Sequence, residues 1–246
     1  MKHLVLVFIV CISVLFTNSV SAQKNTAEDL EQVSDQTLYL QAMENFNNGY
    51  YGLAGKEFEE IENKFVFSPL ATKSIIMSMY SYYKAKKYDD SLRLIQYYKK
   101  INFDSDYLEY ISYMEILNKY NKIMRSKKDL VLMNELYIDI ENILNSYSNS
   151  IYRDDILTKK NVVINNIIKN ELLIYKFYID NNNLIGAINH LKVILNNFPQ
   201  SDYNAEILYR LLILYKHINY KDGVNNCYNI LKNNYNNTKW YRYANE

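Results

Sequence analysis

The 246 residues are 49% hydrophobic and 22% charged, with 28 basic against 27 acidic side chains. That is enough apolar material for a packed core, and too even a charge balance for a nucleic-acid partner. Only 5 Gly and 2 Pro are present, too few for the many turns of an all-β sandwich or barrel, and neither G-x-G-x-x-G nor G-x-x-x-x-G-K-[ST] occurs. A mostly helical protein is left. The Asn and Tyr tracts, such as 181–183 and 233–237, read as the codon bias of an AT-rich genome and carry no functional meaning.

The chain opens on a targeting pattern. Met1-Lys2-His3 is a short basic start, Leu4 to Phe16 is apolar except for Ser13, and Val20-Ser21-Ala22 places small residues ahead of Gln23. The apolar run is shorter than the about 20 residues that span a bilayer. It predicts a secretory signal over 1–22, cut after Ala22, with an uncleaved anchor helix as the alternative. Removal of Lys2 leaves 27 basic and 27 acidic groups. Cys11 falls in the apolar run, and Cys227 is then alone, so no internal disulfide can form. Phe8-Ile9-Val10 is not a lipobox, and Cys11 is read as an ordinary signal residue without lipid. Residues 23–36 are expected to be a flexible segment ahead of a helical domain over 37–246.

Two helical stripes follow. Leu38, Ala42 and Phe46 share one face, and so do Ala54, Phe58, Ile61 and Phe65. Gly49-Tyr50-Tyr51-Gly52 between them is a turn, so the pair is a helical hairpin. The marks Gly49, Tyr51, Ala54, Phe58 and Ile61 return 37 residues later as Lys86, Tyr88, Ser91, Ile95 and Tyr98. They return again as Asn182, Leu184, Ala187, Leu191 and Ile194, and after a further 37 as Asn219, Lys221, Val224, Tyr228 and Leu231. Asn in place of Gly still tolerates a left-handed turn. The small residue lets the second helix approach the first, and the large one a turn later fills the groove between hairpins. The arrangement resembles the tetratricopeptide repeat.

The middle unit is degenerate. Its first helix is expected from Tyr107 to about Asn121, and its second around Leu136, Ile140 and Ile143. The polar stretch 124–129 between them is expected to lengthen the loop. A long helix from about Asp154 to Asn181 bridges to the fourth unit. The whole is an all-α solenoid of about five hairpins, with a weak subdivision near 149–155.

Chemistry-bearing groups are sparse. His190 and His217 lie in different hairpins, and no H-x-x-x-H or C-x-x-C is present. Glu57, Glu59, Glu60 and Glu62 read as a solvated helix face. Cys227 sits in a helical pattern as a small buried hydrophobe. No catalytic, cofactor or metal site is expected.

Several stretches together resemble the BamD family of tetratricopeptide-repeat outer-membrane assembly factors. They are Leu38-Tyr39-x-x-Ala42 with Gly49-x-Tyr51, Lys64-Phe65-Val66-Phe67-Ser68, and Tyr80-Ser81-Tyr82-Tyr83-Lys84-Ala85. Farther on come Ala187-Ile188-Asn189-His190 with Asn197-Phe198-Pro199, then Ala205 to Leu211, and Lys239-Trp240-Tyr241. The likeness runs from about Thr37 to Tyr241. It departs from the family at the missing lipobox, at Val66 where Pro is usual, and at His190 where Arg is frequent. The resemblance implies a non-enzymatic scaffold at the periplasmic face of the outer membrane, held there by its partner. It implies contact with the barrel-forming subunit through Asn189, His190 and Arg210. A neutral His lacks the fixed charge and fork of Arg, so that contact is expected to be weaker or pH-dependent. It also implies a groove for unfolded outer-membrane protein clients, lined by Phe67, Tyr80, Tyr82, Tyr83, Tyr107, Tyr110 and Tyr113. Hairpin packing is the other reading of those rings. A different periplasmic tetratricopeptide adaptor, serving cell-envelope or division machinery, is the alternative function.

Overall fold

The computed structural model describes residues 34–126 and 129–246. The expected signal over 1–22, Cys11 and most of the segment 23–36 lie outside the described residues. Eleven α-helices and no strand occur among the described residues: α1 Asp35–Asn47, α2 Tyr51–Lys64, α3 Ala71–Lys84, α4 Tyr88–Ile101, α5 Leu108–Ser126, α6 Leu130–Ser146, α7 Arg153–Asp180, α8 Leu184–Asn197, α9 Asn204–His217, α10 Lys221–Asn234 and α11 Lys239–Ala244. The fold is all-α and built of helical hairpins. Two compact units divide between Ser91 and Leu92, inside α4, and the expected subdivision near 149–155 lies within the second.

Four of the hairpins turn by one device. Gly49, Lys86, Asn182 and Asn219 have φ of 83, 60, 55 and 58°, and they are the positive-φ residues among those described. At each, two backbone bonds close a Schellman motif. At the first, Gly49 N donates to Phe46 O at 3.0 Å and Tyr50 N to Asn45 O at 2.9 Å. The same pair recurs as Lys86 to Tyr83 with Lys87 to Tyr82, as Asn182 to Ile179 with Asn183 to Tyr178, and as Asn219 to Lys216 with Tyr220 to Tyr215. Gly and Asn suit the left-handed region, whereas a Lys Cβ crowds its own carbonyl there.

In the first unit, Ser34 caps α1 by accepting from Thr37 N at 3.0 Å, so the helix starts inside the segment expected to be flexible. Ala42, Ala54, Phe58 and Ile61 form a fully buried core, flanked by Leu38, Tyr39, Met43, Phe46, Phe65 and Met77. A Cβ on Gly55 would stand 2.9 Å from the Tyr82 ring, so α2 and α3 approach more closely than Ala would allow. Ser78 Oγ donates to Gly55 O at 2.6 Å across that contact. The Ser68 hydroxyl bonds the Asp35 carboxylate, tying the turn after α2 to the start of α1.

The second unit is a row in which each helix packs mainly on its sequence neighbours. Ile95, Ala187, Leu191 and Leu231 are fully buried, and Tyr98 and Ile194 nearly so, as their repeat marks require. The middle hairpin differs from expectation. Here α5 continues as helix through Met124, Arg125 and Ser126, so the polar stretch is partly its last turn, and Asp129 caps α6 by accepting from Leu132 N at 3.0 Å. The bridging helix α7 has 28 residues, about 42 Å at 1.5 Å per residue, twice the length of α8. Its first half packs on α6, where Lys160 pairs with Glu141 at 2.5 Å, and its second half on α8. The short α11 covers the last hairpin through Trp240, whose ring centroid lies 5.5 Å from that of Tyr209.

A chain of ions links three helices of this unit. Lys99 on α4 meets Glu115 on α5 at 2.6 Å, Glu115 meets Lys119 at 2.7 Å, and Lys119 meets Asp139 on α6 at 2.7 Å. Burial alone would raise the Glu115 pKa, but the bonds from Lys119 and Lys99 outweigh it and hold the carboxyl below its ordinary 4.5. A depressed carboxyl stabilises the fold above its unfolded pKa, and that share is lost as pH falls through the folded value. Urea unfolding of Glu115→Gln between pH 7 and 2 is therefore expected to show a shallower acid loss than the parent; an identical slope would contradict the pairing. Lys86→Gly is expected to stabilise by about 1 kcal/mol, read as a higher urea midpoint at unchanged m, because it removes a left-handed Lys.

Candidate functional site

The aromatic residues assemble by short-range packing. In the first unit, Phe46 at the end of α1 meets Tyr51 at the start of α2, with ring centroids 5.2 Å apart, and Tyr80 on α3 at 5.8 Å. The chain of rings continues from Tyr80 to Tyr83 at 6.3 Å and from Tyr83 to Tyr88 at 6.1 Å. Lys84 Nζ stands 5.3 Å over the Tyr51 ring, adding a cation to the stripe. All five rings are half-buried.

Two expected members stand apart. Tyr82 is 4% exposed; its ring fills the space over Gly55 and its hydroxyl donates to Glu59 Oε2 at 3.0 Å. Its ring therefore supports the α2–α3 contact from within and offers no open face. Phe67 lies in the turn after α2, fully exposed.

Tyr107, Tyr110 and Tyr113 belong to the second unit. Tyr107 is exposed in the turn before α5. Tyr113 stacks on Tyr152 at 4.1 Å and 7°, and Tyr110 approaches the same ring at 6.2 Å. Tyr113 OH donates to Asp155 Oδ2 at 2.8 Å, and Lys159 donates to both oxygens of that carboxylate. Burial pushes the Asp155 pKa up, but these bonds win and hold it low.

His190 and Arg210 converge on neighbouring turns of α7, and Asn189 stands apart on the exposed face of α8. His190 Nε2 lies 3.0 Å from Glu171 Oε2 and 3.1 Å from Glu171 O, so the ring carries its proton on Nε2 and donates it toward α7. Arg210 donates Nε and Nη2 to Glu206 Oε1 at 2.9 and 2.5 Å, and its guanidinium lies 5.2 Å over the Tyr175 ring. Burial lowers the Arg210 pKa, but Glu206 and Tyr175 more than compensate, so its charge is secured. Glu171 and Tyr175 are four residues apart on α7, which sets His190 and Arg210 one helical turn from each other along that helix. Asn189 is exposed between Ile185 and Val193, at spacings of four, and those two are 60% and 52% exposed. The outward face of α8 is thus apolar, amide, apolar.

Sequence reasoning missed Phe46, Tyr51, Tyr88 and Tyr152 as members of the ring clusters. Tyr51 and Tyr88 carried a signal as recurring repeat marks at the turn. Glu206 was detectable at i, i+4 from Arg210. Glu171 was not, because 19 residues separate it from His190. Burial pushes the Cys227 thiol up to about 11, which leaves it protonated and a poor nucleophile at neutral pH. Among the described residues, no group of three or more His, Cys, Asp or Glu is placed to hold a metal, and no helix is long and apolar enough to cross a membrane.

Comparison with known proteins bears on this arrangement. The sequence profile of the YfiO family, described as outer membrane lipoprotein, matches residues 31–230. The outer membrane protein assembly factor BamD of Rickettsia prowazekii (strain Madrid E) is 24% identical over 208 residues, covering 85% of this chain and 83% of that protein. The factor of the same name from Caulobacter vibrioides is 20% identical over 84% of this chain and 68% of its own length. That of Neisseria gonorrhoeae is 24% identical over 80% of this chain and 79% of its own length. With the profile covering all the hairpins through most of α10, the chain belongs to the YfiO family.

Proposed function

We propose that this chain is a non-enzymatic scaffold subunit of the outer-membrane β-barrel protein assembly machinery. The observation that carries the reading is the family profile over 31–230, together with relatives named as outer membrane protein assembly factors along most of the chain. The work of such a scaffold is to hold partners at fixed geometry, and the helical row provides rigid elements with outward-facing side chains for it. Secretion through the 1–22 signal would deliver the chain to the periplasm. The barrel-forming subunit would then hold it at the outer membrane.

The barrel subunit docks on the face carrying Asn189, beside His190 and Arg210. The apolar flanks Ile185 and Val193 supply buried area around the amide, and Arg210 keeps a permanent charge. His190 already bonds Glu171, so it steadies α8 against α7 and contributes to the partner less directly than an outward Arg would. Clients bind in extended form along the stripe of Phe46, Tyr51, Tyr80, Tyr83 and Tyr88, with Lys84 at its edge. Half-buried tyrosines offer large rigid faces at little entropic cost.

The test is co-purification from the native host. Asn189→Lys together with Ile185→Glu is expected to lower recovery of the barrel subunit by about tenfold, the loss of a typical anchor contact. Full recovery with a folded double variant would contradict the assignment. Tyr80→Ala with Tyr83→Ala is expected to leave that recovery intact while reducing photo-crosslinking of an unfolded barrel client. Unchanged crosslinking would place the client elsewhere.

A further inference from the structure

At the turn between α9 and α10 the repeat departs from its own pattern. Two residues past the left-handed position, the other three hairpins carry Tyr51, Tyr88 and Leu184, each half-buried. The last hairpin carries Lys221 there, and it is exposed. The next mark is buried as Ala54, Ser91 and Ala187 but only half-buried as Val224, because α10 turns Gly223 and Cys227 inward instead. A cavity of about 300 Å³ opens at this point, lined by Tyr215, Lys216, Asn219, Lys221, Val224 and Asn225. Both altered marks, Lys221 and Val224, are in its wall.

The lining holds two cations and no carboxylate. Lys216 lies in the last turn of α9 and Lys221 begins α10, and neither has an ion-pair partner among the described residues. The side-chain amides of Asn219 and Asn225 have no hydrogen-bond partner there either. Asp222, next in the chain, is not part of the wall. Lys221 does the fold no service. A cation in the first turn of a helix opposes the helix dipole, and two like charges around one cavity repel. A residue held against a local rule marks a use outside the fold.

We infer that this cavity binds a phosphate monoester. Such a group carries about −1.5 to −2 charges at neutral pH, close to the sum of two lysines, whereas a carboxylate carries one. Its oxygens accept from both ammonium groups and from the amides of Asn219 and Asn225. The cavity has room for more than the phosphate, and the Tyr215 ring and Val224 give the carbon skeleton of a glycerol or a sugar an apolar wall. A soluble ester and a lipid headgroup present this same chemistry. None of the lining residues belongs to the two contact surfaces proposed above, so the inference does not rest on them.

The probe is glycerol 3-phosphate, titrated calorimetrically into the full chain, with glycerol as the control. Saturable binding at one site is expected for the ester and none for glycerol. Lys216→Gln with Lys221→Gln changes exposed positions only. It is expected to keep the urea midpoint and to weaken binding by at least about tenfold, the loss of charge-assisted hydrogen bonds. Lys221→Tyr, which restores the mark of the first two hairpins, is expected to fill the cavity and weaken binding likewise. Flotation on phosphatidylcholine vesicles with and without phosphatidic acid separates the two sources. Lysine-dependent flotation with phosphatidic acid identifies a headgroup, and binding of the free ester without flotation identifies a soluble ligand. Three results would overturn the inference: no saturable binding of the ester, equal binding of glycerol, or equal affinity in the folded double variant.

Discussion

Everything in this protein depends on how a helix is made to stop and reverse. Four first helices end on a residue in the left-handed region, and each end is closed by the same two backbone bonds. The stop sets where the second helix begins, and with it which side chains face back. Three small residues, Ala54, Ser91 and Ala187, then lie fully buried at equivalent points. Phe58, Ile95 and Leu191 follow one turn later, also fully buried. Shifting a turn by one residue would rotate these positions about 100° out of the core. The turn is therefore the register mark of these three hairpins; after Asn219 the buried positions are Gly223 and Cys227, with the marked Val224 and Tyr228 half-buried. Lys86 occupies it at a steric cost that Gly49 avoids, and the packing beneath it absorbs that cost.

The long helix α7 is where repetition gives way to a particular use. A regular hairpin pairs its two helices along their full length, whereas α7 is too long for one partner. Its first half serves α6 and its second half α8. The second half carries Glu171 and Tyr175, and these bring His190 and Arg210 from two different hairpins to adjacent turns. The result is a surface with one secured charge and one histidine committed to its own chain. Nothing in that geometry activates a nucleophile or generates a base. It ties α8 and α9 to the second half of α7.

The hairpin architecture was legible because it rests on local rules. The positions Gly49, Lys86, Asn182 and Asn219 were marked as turns by their spacing, and all four turn. The helix expected from about Asp154 to Asn181 runs Arg153–Asp180. The loop expected over 124–129 was misplaced because polar residues on an exposed helix end look like a loop, and α5 continues through Ser126. The side-chain clusters were less readable. Tyr80 and Tyr83 announced themselves by number, but their neighbours Phe46 and Tyr51 come from other helices. Nor could composition separate Tyr82 from Tyr83. One fills the space over a glycine and the other stays half-buried between Tyr80 and Tyr88, and only packing decides which.

The central claim is that this chain serves outer-membrane barrel assembly, and the most direct measurement is depletion in the native host. Folded barrels in the outer membrane would be counted by quantitative mass spectrometry and heat-modifiable migration as the chain is lost. A fall across many unrelated barrels, preceding any defect in division, is the expected result. Normal barrel levels alongside a septation or envelope defect would contradict the claim and assign the same helical scaffold to a different machinery.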